Sequence, residues 1–210
     1  MGKARYGSRR QTGYRSVLPV VVLVCDDAKT AVAYFQEMRR EFKAKVTLKI
    51  VPAPCSGATA DDVVKAAITE RLALGPDSSV AASEPQDEVW ALLDLEVQSE
   101  LRNLANAAKL KAEDNSVRVA LSDPCFEIWT LAHLTDTGTA FANCAAVVAE
   151  IKKEWKKEFG TDFGQKKAQA DYSKLMPLRG LAISRCRPRH ERKDPSWTEV
   201  YKVVESIMTK

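Results

Sequence analysis

The chain has 210 residues, 45% of them hydrophobic and 29% charged, with a formal net charge of +4 at pH 7. That length supports one well-packed core with room for a helical annex, and the balance is that of a globular protein rather than a disordered or fibrous one. No apolar run approaches the roughly 20 residues of a membrane-spanning helix, so no membrane partner is expected.

The first 17 residues form a basic arm, with Lys3, Arg5, Arg9, Arg10 and Arg15 and no acid. VVVLV, which follows, is too short for the apolar segment of a signal peptide and feeds a helix instead, so the expected location is the cytoplasm. Residues 20–25 (VVVLVC) have no polar interruption, the mark of a strand covered on both faces. A helix is expected from about 29 to 42, with Val32, Phe35 and Phe42 near one face. VTLKIVP alternates apolar and polar residues, as a less covered strand does, and stops at Pro52. Thr59 with Asp62 predicts a capped helix start, and that helix runs to Leu74 and ends at Gly75.

EVWALLD is another buried strand, and a helix from about 97 to 112 would place Val97, Leu101, Leu104 and Ala108 on one stripe. VRVAL is the fourth strand. In SDP, Asp123 suits the cap of a following helix and Pro124 its first turn. That helix, PCFEIWTLAHL, is apolar almost all round and is expected to be buried, with His133 bonded to backbone. Beyond about residue 139 only helical periodicity is visible, in AFANCAAVVAEIKKEWKKEF and WTEVYKVVESIM, the first reading as core. The expected fold is therefore α/β: a parallel sheet of about four strands flanked by helices, with right-handed crossovers. The divisions are 1–17 (arm), 18–136 (α/β core) and 137–210, a helical C-terminal portion packed on that core.

Five cysteines, at 25, 55, 125, 144 and 186, include no CxxC pair. The odd count and wide spacing predict neither a disulfide framework nor a zinc knuckle, and Cys25 and Cys125 read as buried structural thiols. With only His133 and His190, a histidine-rich metal site is excluded.

Acids gather at three strand ends: Asp26 and Asp27 after the first, Asp94 and Glu96 after the third, Asp123 after the fourth. Asp94 and Glu96 lie two apart and share a side of an extended backbone. A parallel sheet brings all these ends to one edge, where converging carboxylates repel unless a cation sits between them. Hard oxygen ligands suit Mg²⁺ or Mn²⁺. Each acid taken singly also fits a turn or helix cap. Glu127 is the only acid of its buried helix and needs a partner, either an arginine or a place in the same cleft. The arm, and the cluster SRCRPRHERK with Arg185, Arg187, Arg189, Arg192 and Lys193, suit phosphate contacts or a solvated loop.

Three segments together resemble one family. VLVCDDAKTAVAYF is similar to V-C-E-G-E-K-T-E-x-x-Y-F, DEVWALLDLE to D-E-V-W-x-V-x-D-x-D, and VRVALSDPCFEIWTLAHL to I-x-x-A-x-S-N-P-C-F-E-x-W-x-L-x-H. In order and spacing these resemble the RloB-like family of bacterial proteins encoded near restriction and abortive-infection genes, itself similar to the Toprim superfamily. The resemblance implies a Toprim-like core and a metal-dependent nuclease acting in antiphage defence, with tRNA or other RNA as the expected substrate and an ATPase as the expected partner. It places Asp26 in the position of the acid–base glutamate, Asp94 and Glu96 as metal ligands with Asp26, Glu127 as a further cleft acid with a catalytic role, and Lys29 among the nucleic-acid contacts. The sequence departs from the pattern at Asp26, Asp27, Ala28, Glu96 and Asp123. A non-catalytic binding subunit of a defence complex, built on a degenerate site, is the alternative.

Overall fold

A computed structural model describes residues 18–26, 29–55, 57–75, 86–95, 99–164 and 169–210. The elements follow in the order β1 (Val20–Cys25), α1 (Thr30–Phe42), β2 (Thr47–Pro52), α2 (Ala60–Ala73), β3 (Glu88–Asp94), α3 (Ser99–Asp114), β4 (Arg118–Asp123), α4 (Glu127–Leu134), α5 (Cys144–Phe159), α6 (Arg179–Arg192), β5 (Trp197–Thr198) and α7 (Val200–Thr209). A 3₁₀ segment, Tyr172–Leu178, precedes α6. The sheet order is β2-β1-β3-β4-β5. The first four strands are parallel, and β5 runs antiparallel to β4 through Ser122–Thr198 and Asp123–Trp197. Among the described residues no helix is long and apolar enough to cross a membrane.

The uninterrupted apolar reading of β1 has a direct cause. Val21, Leu23 and Cys25 join a core with Tyr34, Phe35 and Met38 of α1 and Trp129 of α4, while Val22 and Val24 join a second core with α2 and α3. With both faces covered, no position of the strand is left for a polar side chain. β2 is an edge strand: Leu48 is buried, Thr47 and Lys49 are exposed, and Pro52 ends it. Residues from α5, α6 and α7 belong to the first of these cores, so the C-terminal helices share the packing of β1 and α1.

Local signals hold at α2, where Thr59 and Asp62 form a reciprocal capping box and Gly75 takes φ 77° just beyond the helix. Elsewhere tertiary packing overrides them. The buried face of α3 carries Ala105, Ala108 and Ala112, whereas Leu104 is 57% exposed; Val97 lies outside the described residues. Small side chains bring this helix close to the sheet, and the leucine is turned out. α4 begins at Glu127 rather than beside Pro124: Asp123 ends β4, the Asp123–Pro124 peptide is cis, and the turn of Cys125 and Phe126 intervenes. SRCRPRHERK is helical, forming most of α6 with Pro188 inside it. Trp197 and Thr198, inside a stretch read as helix, form the fifth strand.

At the amino end of β3, Glu88 gathers the chain terminus. Its carboxylate accepts from Trp90 Nε1 (2.8 Å), Ser206 Oγ (2.6 Å) and Lys210 Nζ (2.8 Å), and Arg118 lies 3.1 Å away. Burial opposes ionisation of Glu88, but these donors and charges outweigh it and hold the carboxyl below its ordinary range. In the first core, His133 Nδ1 bonds to the Trp129 carbonyl at 2.8 Å, and the Tyr34 hydroxyl donates to Nε2 at 3.2 Å. Burial pushes the His133 pKa down to about 4, so the ring is neutral near pH 7.

Candidate metal centre

Three of the strand-end acids fall on three neighbouring strands. Asp26 follows β1, and its N–H donates to the Leu92 carbonyl at 3.1 Å, closing the last β1–β3 pair, Cys25–Leu92. Asp94 ends β3 opposite Ser122, and Leu95 N–H then donates to the Ser122 carbonyl at 2.8 Å. Asp123 ends β4 and is 6% exposed. From β1 the chain crosses to β2 by α1 on one face, and from β3 to β4 by α3 on the other. The order of connection therefore reverses between β1 and β3, the position where open α/β sheets leave a crevice at their carboxyl ends. Asp26 and Asp94 flank it, both half-buried.

Asp94 also has a structural task. Its Oδ1 accepts from the Phe126 amide at 2.9 Å, next to the first turn of α4. This is the contact that local sequence assigns to Asp123. A cap drawn from a neighbouring strand fixes the carboxylate's direction and ties the turn after β4 to the end of β3.

Glu127 lies beside this edge at 1% exposure. Thr30 Oγ1, at the start of α1, donates to its Oε1 at 2.9 Å, and Cys144 Sγ lies 3.0 Å from Oε2. Cys144 is bonded to Cys125, with a Cα–Cα separation of 5.8 Å. The expectation of a buried structural thiol holds for Cys25 and is corrected for Cys125, which is in a disulfide. A disulfide sulfur carries no hydrogen, so the approach to Glu127 is a contact and not a hydrogen bond. Among the described residues, the one group of three His, Cys, Asp or Glu side chains with ligand atoms all within 4.8 Å of one another is Cys125, Glu127 and Cys144. Asp26 and Asp94 do not join it. Asp27 and Glu96 lie outside the described residues, as does the basic arm. Thr30 and Cys144 have no signal in their local sequence, because their relevance comes from where α1 and α5 begin.

The basic residues are distributed as follows. Lys29 is exposed at the head of α1. Arg185 Nη1 donates to the carbonyls of Ala132 (2.7 Å) and His133 (3.1 Å), closing the C-terminal end of α4. Arg187 pairs with Glu205, and Arg192 with Asp194 at 2.6 Å. Arg189 is 6% exposed, its Nε 4.0 Å from Asp194. Lys193 ends α6 in the left-handed region (φ 55°) and is exposed. These cations thus brace the C-terminal helices, and Arg187 and Arg192 remain at the surface.

The oxygen donors at the carboxyl edge fit Mg²⁺ or Mn²⁺ in kind, since both ions prefer carboxylates and water. The family described as RloB-like protein matches residues 21–207, nearly the whole chain. Among solved structures, a de novo designed Rossmann fold protein is similar over 50% of this chain and 84% of its own, at 16% identity and a TM-score of 0.33. A comparison with curated proteins gives no match.

Proposed function

Because the chain belongs to the RloB-like family, we propose that it is a Toprim-type, Mg²⁺- or Mn²⁺-dependent nuclease that hydrolyses phosphodiester bonds as an effector of antiphage defence, on tRNA or another RNA. The observation that carries this reading is the position of Asp26 and Asp94 at the carboxyl ends of adjacent parallel strands, on either side of the switch point. Asp94 would hold the metal, with Glu96 from the following segment and Asp26 completing the set. A divalent ion bound there supplies charge stabilisation at a phosphoryl oxygen and a hydroxide near neutral pH.

The chain's own residues supply orientation and proton transfer. The Phe126 amide aims the Asp94 carboxylate before substrate arrives. Asp26 accepts a proton from the attacking water or donates one to the leaving oxygen, with a reach one methylene shorter than the family's glutamate. Glu127, held by Thr30, supports the wall of the cleft. Lys29, Arg187, Arg192 and Lys193 contact the phosphate backbone, which positions substrate without selecting sequence. Restraint by an ATPase partner belongs to the same proposal.

A second reading, a non-catalytic binding subunit, is favoured by two observations: Asp26 stands where the family pattern has glutamate, and Asp94 already has a structural role as a cap. One assay separates the two. Purified protein is incubated with total tRNA, single-stranded DNA and plasmid, each with Mg²⁺, Mn²⁺ or EDTA, alongside Asp94→Asn. The nuclease reading expects metal-dependent cleavage reduced about 100-fold or more in the variant, because catalytic geometry tolerates little misplacement. Binding that is indifferent to metal and to Asp94→Asn, without cleavage, favours the second.

A further inference from the structure

Two helix starts and one turn meet beside the carboxyl edge, at a point where the nuclease reading uses Glu127 only as part of the cleft wall and the two sulfurs not at all. Cys125 sits in the turn after β4, Glu127 opens α4, and Cys144 opens α5 behind the Asn143 cap, whose Oδ1 accepts from Ala146 N–H at 3.0 Å. Cys125 is 2% exposed, Glu127 is 1% exposed and Cys144 is half-buried. Their three ligand atoms lie within 4.8 Å of one another. Each is held by a regular element or a braced turn, so the group is set by the fold and not by a mobile loop.

Two sulfurs and one carboxylate differ in kind from the strand-end acids. Thiolate donors favour Zn²⁺, whereas Mg²⁺ and Mn²⁺ take oxygen sets. We propose that Cys125, Cys144 and Glu127 form a redox-gated zinc site beside the carboxylate edge, with a ligand set of its own. In the oxidised chain the Cys125–Cys144 bond closes it. In the reduced chain both sulfurs and the Glu127 carboxylate take one Zn²⁺, leaving a fourth position for water. The Cα–Cα separation of 5.8 Å lets both cysteines reach one ion at Zn–S distances of about 2.3 Å.

The steps balance. An external dithiol breaks the S–S bond by exchange and becomes a disulfide itself; its two electrons and two protons pass to Cys125 and Cys144. Zinc binding then releases those two protons as the thiols become thiolates. The contact between Cys144 Sγ and Glu127 Oε2, 3.0 Å, becomes a thiol aimed at a carboxylate after the first step and two neighbouring ligands after the second. Thr30 Oγ1, donating to Oε1, holds the carboxylate in place throughout. Zinc would join the starts of α4 and α5, as the disulfide does, without fixing the sulfurs to each other.

Cobalt is the probe, because its thiolate complexes absorb in the near ultraviolet and zinc is silent. The full chain is reduced, desalted without oxygen and titrated with Co²⁺, then with Zn²⁺, beside an oxidised sample and the single variants Cys125→Ser, Cys144→Ser, Glu127→Gln and Cys55→Ser. Reduced protein is expected to develop a saturable thiolate–cobalt band that Zn²⁺ removes. The oxidised chain, Cys125→Ser and Cys144→Ser lose that band, Glu127→Gln retains it with weaker binding, and Cys55→Ser behaves as the parent. The proposal is overturned if the reduced parent gives no band, or if the oxidised chain or Cys144→Ser gives one of equal strength. The oxidised–reduced comparison needs no substitution, so a variant that fails to fold leaves the result readable, and no arm depends on nuclease activity.

Discussion

At the scale of single residues, His133 and Asp94 illustrate how buried polar groups acquire their roles. His133 lies against Tyr34 and Trp129, with Arg185 and Arg179 adding to the depression of its pKa by burial. In the unfolded chain its pKa returns to near 6.5. The folded state thus binds fewer protons between the two values, and stability is lost as pH falls from about 6.5 to about 4. The full span is on the order of 3 kcal/mol at the acidic end. Urea midpoints measured across that range should decline in the parent chain and flatten in His133→Phe, which at pH 7 also leaves the Tyr34 hydroxyl without its acceptor, at a cost of about 1–3 kcal/mol. An unchanged slope in the variant would place the titration elsewhere. Asp94 teaches the complementary lesson about legibility. Its position at the end of β3 could be read from the sequence, but its bond to Phe126 could not, because that contact joins residues 32 apart across two strands. The S-D-P sequence offered a local cap, and the neighbouring strand supplied the actual one.

At the scale of elements, legibility followed how much of each pattern was local. Thr59 and Asp62 lie within one turn and cap α2 as their spacing indicates. β1 was legible because burial on both faces excludes every polar residue. β5 was not, since two residues cannot establish a period of two. The Cys125–Cys144 bond was hidden for another reason: a separation of 19 residues is meaningful only once α4 and α5 are packed together. α3 went astray through the common assumption that the largest apolar side chain faces inward. Its sheet-facing side is built from Ala105, Ala108 and Ala112, while Leu104 and Leu110 are exposed. The test is a pair of substitutions. Leu104→Lys should alter stability by less than about 0.5 kcal/mol, as for a surface position. Ala108→Leu should cost about 1–3 kcal/mol, because extra methylenes must be forced between helix and sheet. Urea denaturation that ranks the two in the opposite order would return Leu104 to the core.

At the scale of the whole molecule, the carboxyl and amino ends of the sheet divide the work. The carboxyl end gathers Asp26, Asp94 and Asp123, where like charges oppose close approach, while the amino end gathers Glu88 with Lys210, Arg118, Ser206 and Trp90. The latter network fastens α7 to β3 and so joins the last residues of the chain to the strand that carries Asp94. Because the Glu88 carboxyl is held below its ordinary value, its contribution is present above the unfolded pKa of about 4.5 and fades as pH falls through the lower folded value. Glu88→Gln should therefore lose on the order of 1–3 kcal/mol at pH 7, where the parent has a buried charge with all its donors satisfied and the variant leaves Lys210 and Arg118 without their counter-charge. As pH falls below about 4.5 the unfolded parent takes up the proton first, so its advantage shrinks, and once the folded carboxyl also protonates the gap between the two proteins should close. This acid window lies below most of the one assigned to His133, so a single urea series in pH distinguishes the two buried groups. Equal stability of the two proteins at pH 7 would mean that α7 is held by Val200, Val203, Val204 and Ile207 alone, with the Glu88 network adding nothing, and a gap that stays constant to pH 3 would mean that its contribution does not depend on the Glu88 charge.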